Sequence, residues 1–318
     1  MMLRHAEFIL FGTRPHAFSL KGIYLLVGYF FGALLVAAIL SPLCYWGIIF
    51  WGEVYPNGLN SYLAEKEFGR YFDRLRWLVV ILFLPWFVRR SGIKSWSKLG
   101  LNFEIASGKV VLAWLCLGVG LLAMIALVQA LVYHTEYQSF DNILGILGKG
   151  LCAGFVVALV EEAVFRGIVL RIFYTALSPF IAVFLSSLFF AFVHFKQLPQ
   201  EIASPEGTVT VLSGFLAAFW TVFSIIHTFD AIPFLNLTLV GMVLGLLFLR
   251  SRSLWPCVGL HAGWVSFISV YDDLVVSQGG VIQFFLGSSR MLDGLSSAIL
   301  LGFISFLFLR LPIKKFDY

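Results

Sequence analysis

The sequence predicts an all-α fold, a polytopic membrane bundle of about eight transmembrane helices. Of its 318 residues, 60% are hydrophobic and only 12% are charged, whereas an ordinary soluble domain carries about 25% charged residues. Apolar runs near the length that spans a bilayer, about 20 residues, recur along the chain. Lysines and arginines gather at the ends of these runs, as they do beside membrane helices.

The runs cover residues 23–51, 77–88, 110–133, 143–176, 180–195, 209–226, 232–249 and 254–270, with a last one inside 281–311. The run at 77–88 is short. Residues 52–76 are polar and aromatic and read as an interfacial loop or helix; residues 196–208 form a second polar loop. Arg4, Arg14 and Lys21 favour a cytoplasmic N-terminus, and Arg89, Arg90, Lys94, Lys98 and Lys109 a cytoplasmic second loop. Lys314 and Lys315 favour a cytoplasmic C-terminus, which requires an even number of spans. Eight satisfies that parity and nine does not, so one shorter run is read as re-entrant or enclosed. The chain divides into N-terminal membrane helices with an interfacial loop (1–142), a helical core (143–270), and a C-terminal membrane helix with a cytoplasmic tail (271–318). No polar linker separates two folded units.

The formal net charge of +5 comes without a dense basic run, which argues against a nucleic-acid partner. Cys44, Cys116, Cys152 and Cys257 each lie in an apolar stretch without metal-ligand spacing, and read as small buried hydrophobes. The first apolar run is too long for a signal-peptide core and reads as an uncleaved membrane helix. Gly150 with Gly154, and Gly241 with Gly245, form small-xxx-small pairs that let helices approach closely in lipid.

Ionisable groups inside apolar helices are the informative residues. Each charge at mid-bilayer costs about 2.5–3.5 kcal/mol on insertion scales. Glu161, Glu162 and Arg166 share one apolar helix, so they must pair, face the bundle interior or touch water. Glu162 and Arg166 are four apart and can form an ion pair. Glu161 is rotated about 100° from Glu162 and is free to point elsewhere. The dipeptide Ser178-Pro179 marks a tight turn, because a residue before proline disfavours helix. Glu161 and His194 stand 16 residues on either side of Leu177–Ser178. In an antiparallel hairpin, equal distance from the turn means equal depth, so the two should meet. His261 lies in a later apolar run, after a turn marked by Arg250, Arg252 and Pro256.

One carboxylate with two histidines in a low-dielectric pocket suits the activation of water. Histidine can shuttle a proton or donate to a developing oxyanion. A set of two histidines and one glutamate could also hold zinc with an open position. The helix-borne HExxH signature is absent, as is G-x-S-x-G.

The run Glu161-Glu162-Ala163-Val164-Phe165-Arg166 resembles the EExxxR motif of the CAAX prenyl protease and bacteriocin-processing (CPBP, or Abi) family. Phe190-Ala191-Phe192-Val193-His194 is similar to its FxxxH motif, and Leu260-His261-Ala262-Gly263-Trp264 to its later histidine motif. The three occur in the family's order across residues 143–270. The resemblance implies an intramembrane glutamic endopeptidase of eight helices in a bacterial inner (plasma) membrane. It would hydrolyse a peptide bond near the C-terminus of a membrane-anchored or lipidated substrate. Glu161 would activate the attacking water, Glu162 and Arg166 would support it, and His194 and His261 would orient the water and stabilise the transition state. The family was long classed as zinc-dependent. The resemblance now implies no cofactor, the alternative being Zn2+ held by Glu161, His194 and His261. Where the family often has an asparagine four residues after the second histidine, Val265 stands here, leaving Ser266 or Asn236 to donate to the oxyanion. Two other functions stay open: a non-catalytic immunity or scaffold member of the same fold, and a proton-coupled membrane transporter.

Overall fold

A computed structural model describes residues 20–92, 96–101, 105–132, 136–137, 142–194, 198–203, 209–227, 229–276 and 281–311. Arg4, Arg14, Lys94, Lys314 and Lys315, used above for orientation, lie outside these residues, as do the run ends Tyr133 and Phe195 and residues 196–197 and 204–208 of the second polar loop. The described chain is a set of α-helices with one two-residue antiparallel strand pair, β1 (Glu136–Tyr137) on β2 (Val275–Val276). Among the described residues four helices are long and apolar enough to cross a membrane, and exposed leucines, phenylalanines and valines along the chain suit a hydrocarbon surround. The chain is an all-α membrane bundle.

The helices form two compact units that interleave along the sequence. The first takes in Leu20–Gly92 and Phe195–Phe229. Its members are α1 (Leu20–Val54), α2 (Gly58–Ala64), α3 (Phe68–Arg90), α9 (Gln200–Ala203) and α10 (Val211–His227). Here α3 begins well before the run at 77–88, because Arg70, Asp73, Arg74 and Arg76 occupy its first turns and lower its hydropathy. Tyr29 of α1 stacks on Phe87 of α3 at 4.0 Å and donates its hydroxyl to Val80 O at 2.5 Å. Leu34, Ala37, Ala38, Phe68, Phe72 and Ala217 share one buried cluster.

The second unit takes in Ile93–His194 and Asp230–Tyr318. It comprises α4 (Trp96–Leu99), α5 (Ile105–Val132), α6 (Ile143–Val164), a π turn (Phe165–Val169), α7 (Leu170–Ala176) and α8 (Pro179–His194). It continues through α11 (Ala231–Ser251), α12 (Trp255–Leu274), α13 (Val281–Leu286) and α14 (Leu295–Arg310). The last apolar run is therefore broken, by Gly287 and Met291 in the left-handed region at φ 86° and 59°.

Helix α12 is buried all round from Trp255 to Trp264, the mark of a central helix. Glycines let its neighbours approach. A Cβ on Gly154 of α6 would stand 2.9 Å from Ala262 O, and one on Gly259 would stand 2.5 Å from Val111 O of α5. Gly241 and Gly245 of α11 pack on Ser187 and Val183 of α8. Both glycine pairs seen in the sequence are thus contact faces, and Gly259 with Gly263 is a third. Of the four free cysteines only Cys257 is buried; Cys116 and Cys152 are exposed on apolar helices, which corrects the expectation for those two.

Candidate active site

The hairpin forms as its turn residues require. Helix α7 ends at Ala176, Leu177 is extended (φ −124°, ψ 163°), and Pro179 opens α8 at the position where a missing N–H costs nothing. Glu161 near the end of α6 and His194 at the end of α8 then meet. His194 Nε2 lies 3.2 Å from Glu161 Oε1 and 3.1 Å from Oε2.

The other ring nitrogen of His194 fixes the proton assignment. Nδ1 is 2.8 Å from Phe190 O, and a carbonyl can only accept, so Nδ1 carries a proton. A proton between Nε2 and the carboxylate is then held by the pair: an imidazolium facing a carboxylate, or a neutral ring facing a carboxylic acid. The i to i+4 spacing of Phe190 and His194 is what puts that carbonyl under the ring. The Phe190 ring also packs on the His194 ring at 4.2 Å and lies 4.8 Å beneath the Arg166 guanidinium.

Glu162 is fully buried and turns the other way. Its Oε1 accepts from Arg166 Nη1 at 2.9 Å and from His261 Nδ1 at 2.8 Å. Arg166 also donates Nη2 to Gly241 O at 3.3 Å. Arg166 belongs to the π turn, an extra-residue coil that recurs at functional sites. His261 Nε2 is left 3.9 Å from Glu161 Oε2, outside hydrogen-bond reach. All five residues singled out in the sequence are therefore brought together, with the histidines on either side of Glu161 and the Glu162–Arg166 pair behind His261.

Glu161, His194 and His261 line a cavity of about 180 Å³. Its remaining wall is almost wholly apolar, from Leu121, Val157, Leu237, Val240, Ile268 and Leu301 among others. Met291 and Leu292, from a loop missed in the sequence, also line it. Two buried amides tie it down: Gln129 Nε2 donates to Leu286 O and Gly287 O at 2.9 Å, and Asn236 Nδ2 to Leu292 O at 2.7 Å and Gly294 O at 2.9 Å. An amide inside an apolar run was the available signal.

Asn236 therefore has no amide hydrogen to spare for an oxyanion. Ser266 does not line the cavity; its buried hydroxyl lies against Gly154. Neither replaces the donor that Val265 lacks. As for zinc, His194 Nε2 is engaged with both Glu161 oxygens, and no group of three or more His, Cys, Asp or Glu among the described residues is arranged to hold a metal.

Residues 143–267 match the family model described as Type II CAAX prenyl endopeptidase Rce1-like. The chain carries an Rce1-like domain. That domain contains Glu161, Glu162, Arg166, His194 and His261, and runs from the start of α6 into α12. Proteins of that family are, in general, CAAX-type proteases embedded in a lipid bilayer. No curated protein and no solved structure matches the chain.

Proposed function

We propose that this chain is an intramembrane endopeptidase of the CPBP type that cuts a peptide bond near the C-terminus of a membrane-anchored or lipidated substrate, using water activated by Glu161. The observation that carries this is the Glu161 carboxylate held at 3.1 Å by His194 Nε2, with His261 Nε2 at 3.9 Å, in the wall of a largely apolar cavity. In the imidazolium–carboxylate form of the pair, Glu161 takes a proton from water as the water oxygen adds to the peptide carbonyl. The carbonyl π electrons move onto its oxygen. The tetrahedral adduct then collapses, the C–N bond breaks, and the leaving amine takes the proton from Glu161 or His194. Glu162, tied to Arg166, holds the His261 ring so that Nε2 faces the reacting water. No metal takes part.

The bilayer is crossed eight times in this reading, and one short apolar helix is enclosed. Helices α8 and α14 are the candidates, since the 16 residues of each rise only about 24 Å, against a hydrocarbon core of about 30 Å. We assign the protein to a bacterial inner membrane on its resemblance to bacterial members. The test is the processing state of membrane-anchored C-terminal peptides, read by mass spectrometry in cells with and without the chain. A C-terminally shortened species that depends on the chain supports the proposal; identical termini in both would overturn it.

One observation favours a second reading, a non-catalytic immunity or scaffold member: Val265 offers no hydrogen bond, and Asn236 and Ser266 do not supply one in its place. Such a protein would function equally well with Glu161→Gln.

A further inference from the structure

When water adds to a peptide carbonyl, negative charge develops on the oxygen, and an apolar cavity holds little water to solvate it. A fixed donor must meet that charge. The polar side chains lining the cavity are Glu161, His194, His261, Trp264 and Ser297. Glu161 receives the proton of the attacking water. His194 spends Nδ1–H on Phe190 O and turns Nε2 to Glu161. His261 spends Nδ1–H on Glu162 and turns Nε2 to the attacking water beside Glu161. Ser297 spends its hydroxyl on Met291 O at 2.6 Å.

Trp264 remains. It is 5% exposed, three residues past His261 and so on the same side of α12. Its indole N–H can only donate. It makes no hydrogen bond to any described residue. We propose that the Trp264 indole N–H is the donor to the substrate's carbonyl oxygen as it becomes an oxyanion. This rests on the hydrolytic reading above, and it supplies the group whose lack at Val265 favours the non-catalytic one.

The experiment uses the full chain in liposomes with two readouts. The first is steady-state cleavage of an N-palmitoylated fluorogenic peptide. The second is binding of the same peptide truncated to a C-terminal aldehyde, whose hydrate mimics the tetrahedral adduct, or to the matching alcohol, which cannot form one. Trp264→Phe is expected to lower kcat by about 10²–10³, the usual loss for one oxyanion donor, with KM little changed. It should weaken aldehyde binding and leave alcohol binding alone. Adding Val265→Asn to Trp264→Phe should restore part of kcat by returning a donor to that face. Unchanged kcat in Trp264→Phe overturns the assignment, and so does equal loss of aldehyde and alcohol binding, which is what a packing role would give. If the unaltered chain neither cleaves nor prefers the aldehyde, the hydrolytic reading itself fails and this proposal with it. Activity lost in Glu161→Gln but kept in Trp264→Phe removes Trp264 alone.

Discussion

His261 and Glu162 are 99 residues apart in sequence and joined by a 2.8 Å hydrogen bond, Nδ1 to Oε1. The same oxygen accepts from Arg166 at 2.9 Å, so one buried carboxylate orients a histidine and neutralises a guanidinium at once. Removing one partner of a buried ion pair costs about 3–5 kcal/mol, because the other charge is left uncompensated. Glu162→Gln should therefore lower the thermal midpoint in detergent and abolish cleavage. Its new amide would replace Oε2, which has no partner among the described residues. Adding Arg166→Met should recover much of the stability and none of the activity. Thermal unfolding alongside the liposome cleavage assay checks both. Additive losses in the double variant would show that the two side chains act independently.

Gly154 sets the distance between α6, which carries Glu161, and α12, which carries His261. A valine there collides with Ala262 and Ser266. Overpacking of this kind costs about 1–3 kcal/mol. Gly154→Val should lower the thermal midpoint and reduce kcat, whereas Gly148→Ala, whose Cβ meets nothing within 4 Å, should do neither.

The loop at Met291 is held by amides that have no other work. Asn236→Leu leaves two carbonyls, of Leu292 and Gly294, without their donor, at a cost of about 1–3 kcal/mol per buried group. Hydrogen exchange across residues 286–294 should quicken in Asn236→Leu and in Gln129→Leu, while α12 keeps its protection. Unchanged exchange would mean that the loop is fixed by packing alone.

Much of this was legible in the sequence, for definite reasons. Apolar runs mark helices wherever charge is excluded, and the run at 77–88 was too short only because α3 carries four charged residues in its first turns. The Glu161–His194 contact followed from counting outward from Ser178-Pro179, which works for adjacent helices. No such count exists for His261, since α11 and the whole first-unit excursion intervene, and its partner proved to be Glu162 rather than Glu161. The π turn left no trace, because it depends on how α7 seats against its neighbours. Asn236 looked like a spare donor, but a lone amide in an apolar run does not announce which carbonyls it satisfies.

Metal independence separates the glutamate mechanism from the zinc alternative. Cleavage in the presence of a strong chelator such as 1,10-phenanthroline should match the untreated rate, with its non-chelating isomer as control. Loss of activity restored by added zinc would return the ion to the site.

The central claim is that Glu161, held by His194, activates water. Glu161→Gln keeps the size and one acceptor of the side chain but cannot take a proton, and His194→Ala removes the ring that shares one with it. In a liposome assay with a membrane-anchored peptide, the account predicts that both variants fold, and that Glu161→Gln gives no cleavage and His194→Ala a rate lower by about 10²-fold or more. Cleavage by Glu161→Gln at the parent rate would contradict it.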